Sequence, residues 1–464
     1  MVIIGGGFGG LYAANALRRA PVRVTLVDRR NHHVFQPLLY QVATASLSPA
    51  DIAAPIRHIL SRQRNATVLL GEVVDIDTDA RLVHLANGRI GYDHLIVATG
   101  ATHSYFGNED WSPLAPGLKS VEDALEIRRR FLLAFEAAEL EADPDARRAR
   151  LTFLVVGGGP TGVELAGAMI EIARKAIPCD FRSIDTATAR IILVEAHDRI
   201  LRAFPPDLSA RARQDLEKLG VQVRTGSRVT QIDQDGVRIG DERIDTRNVI
   251  WAAGVRASPL GNSLGAEMDP AGCVVVEPDL SIKGHPNVFV IGDLAHVTDD
   301  CTGQKVPGVA PAAIQEARYV ARLIKRETRS GSGATARKPF CYANKGMLAT
   351  IGRAKAVVKT KRLQFAGPLA WLFWAMVHVC FLIGFRSRLL VVIQWGWAWF
   401  TYERGARLIT GDSNVALATC SIPSASTSET DASPLPLPPL PATTPTPTRG
   451  QADPPAPGVS AKAG

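Results

Sequence analysis

The 464-residue chain predicts an α/β fold built from two successive dinucleotide-binding units, followed by a helical region suited to a membrane surface. Three observations carry that expectation. A glycine-rich turn sits between a buried strand and a helix twice, at 5–10 and at 157–162, and an acid ends each following strand, Asp28 and Glu195. A later apolar run ends in a third glycine turn, Gly292-Asp293. Between Arg337 and Asp412, twelve Lys and Arg meet only two acids, and five of the seven tryptophans fall there. The net charge of +8 thus describes a near-neutral body carrying a basic, aromatic, apolar segment, and no nucleic-acid partner is expected.

Val2-Ile3-Ile4 reads as a buried strand, the spacing from Leu11 is helical, and Val22 to Val27 forms a second strand ending at Asp28. In the loop between them Gly5 permits the tight turn, Gly7 lets pyrophosphate reach the backbone, and Gly10, beside Gly9, lets helix and strand pack closely. The helix N-terminus adds unpaired N–H groups, and Asp28 adds acceptors for a ribose. This is a Rossmann-like unit. The run Leu95-Ile96-Val97 then enters a small-residue turn, Ala98-Thr99-Gly100, and a charged helix is expected over about Val121 to Leu140.

The second unit repeats the design. A strand from Phe153 to Val156 leads into Gly157, Gly159 and Gly162, a helix through Ile172, an inserted loop from Lys175 to Ala189, and a strand from Ile191 to Val194 ending at Glu195. A carboxylate at that strand end binds a 2′-hydroxyl and repels a 2′-phosphate, so NADH is expected over NADPH, with Arg199 nearby pulling the other way. Val249 to Trp251 enters Ala252-Ala253-Gly254, and Val288 to Ile291 enters Gly292-Asp293. A further helix is expected from Pro311 to Lys325.

The six cysteines are scattered, with no C-x-x-C and no pair at metal-ligand spacing. They are expected to be buried small hydrophobes in a reducing, cytoplasm-facing setting, with no metal site and no disulfide framework. The neighbours His32 and His33 are expected to be structural rather than ligating. From Ser421 onward eleven prolines in 44 residues predict a disordered tail.

Phe365 to Phe385 is a 21-residue run whose only ionisable member is His378, and Leu389 to Phe400 is a second apolar run. Gly367-Pro368 and Gly384 interrupt or bound the first. The preferred reading is two helices lying in one leaflet, the tryptophans at the interface and Lys355, Lys359, Lys361 and Arg362 against anionic headgroups. A single transmembrane span, and a purely buried core helix pair or homodimer interface, are the alternatives.

Taken together, Gly5/Gly7/Gly10/Asp28, Ala98-Thr99-Gly100, Gly157/Gly159/Gly162/Glu195 and Gly292-Asp293 resemble the two-dinucleotide-binding-domain flavoproteins. That resemblance implies FAD in the N-terminal unit, NADH at an inserted central unit with Ala253 and Gly254 beside it, and Asp293 returning to close the FAD site. It sets the domains at 1–120 and 255–335 for FAD, 121–254 for NADH, 336–412 for membrane docking and 413–464 for the tail. Disulfide reductases of this fold carry a cysteine pair near the first loop, and none precedes Cys179.

Three stretches, Arg29 to Tyr40, Gly157 to Glu164 and Val309 to Ala321, resemble the type II NADH:quinone oxidoreductases, and the likeness extends over about residues 1–412. It implies two-electron transfer from NADH through FAD to a membrane quinone without proton pumping, on the cytoplasmic face of the membrane. It further implies a role for Glu164 between nicotinamide and flavin, and a quinone pocket formed by Gln315, Glu316, Lys345 and Leu348. Pro311 stands where the family has Gln, and Asn344 where it has Asp. Two rivals remain. A sulfide:quinone oxidoreductase would need cysteines flanking the flavin, for which Cys179 and Cys341 are the candidates, and a redox-sensing flavoprotein would use the basic segment to bind a partner.

Overall fold

The computed structural model describes residues 1–330, 336–402 and 405–410. Its first sheet has six strands in the spatial order Ser281–Ile282, His285–Val290, Leu95–Val97, Val2–Ile4, Val24–Asp28, Ala66–Leu70. All neighbours are parallel except the first pair. The central strands are buried residue by residue, as a parallel sheet covered on both faces requires. The Phe8–Ala16 helix packs beside the Ala310–Ser330 helix on this sheet, so the first and last thirds of the chain build one layer together.

The second sheet is entirely parallel, in the order Gln222–Arg224, Arg190–Val194, Thr152–Val156, Asn248–Trp251. The chain crosses to it and returns through two short strands, Ala101–His103 and Val255–Ala257, which pair antiparallel. The second unit is thus inserted in the first, as expected. The charged helix spans Val121–Leu140, opened by a Ser120 and Asp123 capping box. Residues 175–189 are largely irregular after the Pro160–Glu171 helix relaxes into a π turn at Ile172–Ala176.

The C-terminal region departs from expectation because it begins with a three-stranded antiparallel sheet, Met347–Gly352, Lys355–Lys359 and Gln364–Ala366. Ala356, Val357 and Val358 are buried on both faces, which hides the alternation that would mark them as a strand. The first of these strands lies directly on the Pro160–Glu171 helix: a Cβ on Gly167 would come 1.7 Å from the Ile351 carbonyl oxygen. Two helices follow, Pro368–Phe381 and Phe385–Thr401. The apolar run read from the sequence is therefore broken, and Gly367 and Gly384 take φ +92° and +89° at the breaks. Among the described residues no helix is long and apolar enough to cross a membrane. The expected disordered tail lies outside the described residues.

Two expectations about side chains are corrected. Cys301 and Cys341 form a disulfide, Cys179 and Cys380 are exposed and Cys273 is half-buried, so these five are not buried small hydrophobes. Of the five C-terminal tryptophans only Trp397 faces outward; Trp374 is fully buried, and Trp371, Trp395 and Trp399 turn toward a cavity. The reason is that both helices pack on the body, and indole supplies more buried area than any other side chain.

Candidate active site

The two glycine loops have matching geometry. Gly5 and Gly157 adopt φ +99° and +111°, open to glycine alone among common residues. A Cβ on Gly10 would lie 1.8 Å from the Gly5 carbonyl oxygen, and one on Gly162 1.9 Å from that of Gly157. At Gly7 and Gly159 a Cβ would meet nothing within 4 Å, which leaves the approach of a pyrophosphate to the helix N-terminus open. The strand-end turns seal both loops from the same side. The Ala98 carbonyl oxygen comes within 2.4 Å of a Cβ on Gly5, and the Ala252 carbonyl oxygen within 2.5 Å of one on Gly157.

Each acid holds its own loop. Asp28 accepts the Gly6 and Arg30 N–H groups, and Glu195 accepts the Gly158 N–H at 2.7 Å. Desolvation pushes the Glu195 carboxyl up, but N–H donors from His197 and Gly158 and the His197 ring outweigh it and hold it below the ordinary range. Arg199 is turned to the Phe204 and Arg202 carbonyls, so its guanidinium is committed there.

The residues around the first loop fit FAD. The Thr99 hydroxyl is buried without a hydrogen-bond partner, and so is Nε2 of His33. Burial pushes the His33 pKa down, so the ring is neutral and its Nδ1–H donates to the Gly6 carbonyl at 2.9 Å. Asp293 pairs with Lys119 at 3.6 Å. Glu316 reaches the same turn from the Ala310–Ser330 helix and accepts the Gly292 N–H at 2.6 Å. Burial raises its carboxyl to about 7. In the second unit the Phe106 ring lies over Gly254, where a Cβ would come within 2.5 Å of it.

A series of rings joins the first loop to the C-terminal helices. Phe8 meets His33 and Phe35 at 5.0 and 5.9 Å, Phe35 meets His378 at 6.1 Å, and His378 meets Trp374 at 4.3 Å. Burial pushes the His378 pKa down to about 4, so this link is neutral. Beside it a cavity of about 120 Å³ is walled by Tyr40, Gln41, Thr350, Trp371, Trp395 and Trp399. The Trp395 indole donates to Gln41 at 2.7 Å. At its floor is Glu164, two residues past Gly162, whose nearest donor is the Thr350 N–H at 3.4 Å. Glu164 is half-buried, and with so little hydrogen bonding to its carboxyl, desolvation raises it to about 8.

That shift has a stability consequence. Between the ordinary 4.5 and the folded value of about 8, folded Glu164 keeps a proton that the unfolded chain has released. Stability from this group is therefore full below 4.5 and is lost as pH rises to 8, by at most roughly 5 kcal/mol less whatever cavity water screens. Glu316 acts in the same direction up to about 7. Below about pH 6.5 the buried histidines His33 and His378, whose pKa values are lowered, act in the opposite direction, so melting curves should show Tm falling only from about pH 6.5 to pH 9, and Glu164→Gln should flatten part of that slope.

The other expected quinone residues lie on or against the segment 343–348. The Gln315 side chain brackets the Ala343 peptide, accepting its N–H at 3.0 Å and donating to its carbonyl at 3.1 Å. Lys345 is exposed two residues later, and Leu348 is half-buried on the strand that carries Thr350. Pro311 sits at the start of its helix, where a missing N–H costs nothing. The cavity residues Tyr40, Gln41, Thr350 and the three tryptophans were not read from the sequence; tryptophans recurring every three or four positions were the available signal.

The pyridine nucleotide-disulphide oxidoreductase family matches residues 1–317. Among curated proteins, the type II NADH:quinone oxidoreductase NdhA of Mycobacterium tuberculosis is 48% identical over 424 residues, covering 88% of this chain and 89% of that one. The chain belongs to the type II NADH:quinone oxidoreductases. A second oxidoreductase of the same organism, Ndh, is 46% identical with similar coverage. NDH2 from Plasmodium falciparum in complex with NADH shares the fold at TM-score 0.80 and 21% identity, over 88% of this chain and 99% of that one. As a member of the family this type II oxidoreductase is FAD-dependent, oxidises NADH, reduces quinone and pumps no protons. The sulfide:quinone oxidoreductase of Aquifex aeolicus matches less well, at TM-score 0.65. The cysteines required by that rival are also not paired, since Cys341 is bonded to Cys301 and Cys179 lies exposed in the inserted loop.

Proposed function

We propose that the quinone head group is reduced in the tryptophan-walled cavity, with Glu164 as its proton donor. The observation that carries this reading is a carboxyl raised to about 8, two residues from the second glycine loop, in the lining of a cavity that is rich in tryptophan and also carries Glu171 and Arg353. Bound FAD supplies the two-electron carrier between NADH and quinone. The chain's own residues do the rest. Asp28, Gly5, Gly7, Gly9, Gly10 and the turns at Ala98–Gly100 and Gly292–Asp293 hold FAD, and Glu316 fixes the last of these turns. Gly157, Gly159, Gly162, Glu195, Ala253 and Gly254 hold NADH. Gln315 positions the segment leading to exposed Lys345, and Lys345 is assigned to the approach of the quinone together with Leu348, on the strand that carries the cavity residue Thr350. These roles fit domains at 1–120 with 255–335, 121–254 and 336–412.

A reduced quinone needs protons, and a carboxyl with a pKa near the working pH gives and regains one readily. The test uses the cavity's own indoles. Titration with a short-chain quinone should quench tryptophan fluorescence, and Ala398→Phe, which fills the cavity, should weaken quenching and raise the quinone KM at least tenfold. NADH-to-ferricyanide activity should stay within twofold. Unchanged quinone kinetics would place the quinone elsewhere.

The second part of the reading concerns the membrane. Leu369, Leu372 and Met376 on one helix, and Phe385, Leu389, Val392, Ile393 and Phe400 on the other, form an exposed apolar face, with Phe385 80% and Phe400 84% exposed. Exposed Lys361, Arg362 and Arg386 border it. This face suits the cytoplasmic leaflet of an anionic bilayer, where a lipid-dissolved quinone is reached. Phe385→Glu with Phe400→Glu should cut binding to anionic liposomes at least tenfold and leave ferricyanide reduction intact. A homodimer through the same face predicts instead that the double variant turns monomeric while still binding liposomes.

A further inference from the structure

The Cys301–Cys341 disulfide closes 40 residues of sequence and lies outside the parts assigned above. Both cysteines are exposed, so a thiol in solution can reach them. The bond ties together two particular segments. Cys301 belongs to the loop after Gly292-Asp293, where Thr298 bridges Lys305. Cys341 begins the stretch 341–346, which has no strand or helix of its own and leads into the Met347–Gly352 strand.

Apart from the disulfide, two brackets hold that stretch. Asp299, itself buried, accepts the Tyr342 N–H at 2.9 Å, and Gln315 grips the Ala343 peptide from both sides. The next residues are Asn344 and Lys345, and the strand beyond presents the Thr350 N–H to Glu164. Among the described residues the disulfide is thus the covalent fastening on the segment that enters the quinone-side strand, beside these two hydrogen-bonded brackets and the packing of Tyr342 on the core. The Asp299 carboxylate lies within 4.8 Å of both sulfurs, an acceptor for the S–H groups that the reduced form gains.

We propose that Cys301 and Cys341 form a thiol–disulfide exchange site through which a small dithiol sets how firmly the 341–346 segment is held, and with it the affinity for quinone. A thiolate of the dithiol attacks one sulfur and forms a mixed disulfide, releasing the other cysteine as a thiolate that takes up a proton. The second thiol of the reagent then closes on the first. The dithiol loses two electrons and two protons and becomes a disulfide, and the enzyme gains two thiols. An oxidised dithiol reverses the exchange. The proposal rests on quinone reduction lying on this side of the molecule.

The test uses the full-length holoenzyme before and after dithiothreitol, with the reagent removed. Reduction should expose two further thiols to an alkylating label, raise the quinone KM three- to tenfold and leave NADH-to-ferricyanide activity within twofold. Oxidised dithiothreitol should restore the starting values. The Cys301→Ser/Cys341→Ser double variant should resemble the reduced enzyme and no longer respond, although Cys179, Cys273 and Cys380 remain. A response that survives in the double variant overturns the proposal. So does reduction that lowers Tm without moving the quinone KM, because the bond is then a staple only. If Ala398→Phe leaves quinone kinetics unchanged while reduction alters them, the cavity reading fails and the exchange site stands.

Discussion

Glu164→Gln is expected to lower NADH-to-quinone turnover by 10- to 100-fold while NADH-to-ferricyanide turnover stays within a few-fold. The amide keeps the size of the carboxylic acid and, like it, is neutral at pH 7, because the acid's own pKa is pushed up to about 8. Packing at the cavity floor is therefore preserved, and what disappears is a transferable proton. General acid catalysis by a positioned side chain typically contributes 10²–10⁴-fold, and a loss at or below the bottom of that range is expected where water in the cavity supplies an alternative proton. Ferricyanide needs no proton, so the two acceptors separate proton delivery from NADH oxidation. The pH profile gives a second reading. In the wild type, kcat with quinone should fall above about 8 as the carboxyl ionises, and in the variant that limb should vanish. Equal loss with both acceptors would instead make Glu164 a residue of the NADH half of the reaction.

The local parts of this architecture were legible because their signals are local. Each glycine loop, its acid and its flanking strands lie within about forty residues, and the geometry at Gly10 and Gly162 repeats almost atom for atom. The Val121–Leu140 helix was readable from its charged composition, and the structure adds the capping box that opens it. The C-terminal sheet was not, because Ala356–Val358 are buried on both faces and a three-residue apolar run flanked by lysines has no period.

The basic excess was misread in part for a related reason: charge is visible in sequence and partnership is not. Arg337 is paired with Asp279 and Glu327, and Arg407 with Asp180. Arg388 caps the carbonyls of Cys380 and Leu382. Arg353 stacks on Trp399 and Tyr402 at 4.5 and 4.3 Å, fastening the last helix to the body. Arg388 and Arg353 hold the C-terminal helices in place, Arg337 and Arg407 tie the flanking segments to the body, and the cations left facing outward are fewer than the net charge suggests. The disulfide was invisible for the same reason, since only the fold brings Cys301 to Cys341.

Replacing Glu195 by Ala should collapse the preference for NADH over NADPH by at least tenfold, chiefly by raising kcat/KM for NADPH. In the wild type the carboxylate is ionised at neutral pH, held below the ordinary range by the His197 and Gly158 N–H groups and the His197 ring. A 2′-phosphate brought to the same strand end meets that charge in a half-buried setting where screening is weak, whereas a 2′-hydroxyl can donate to it. Arg199 offers no rescue, because its guanidinium is spent on the Phe204 and Arg202 carbonyls. The substitution also frees the Gly158 N–H, so kcat/KM for NADH should fall as the glycine loop loosens. Glu195→Gln separates the two effects. Its amide oxygen can still accept from Gly158, so NADH activity should be largely kept while the repulsion of a 2′-phosphate is removed. Stopped-flow reduction of the bound flavin by each nucleotide reads both terms directly, and an unchanged NADH/NADPH ratio in both variants would move the source of selectivity away from this carboxylate.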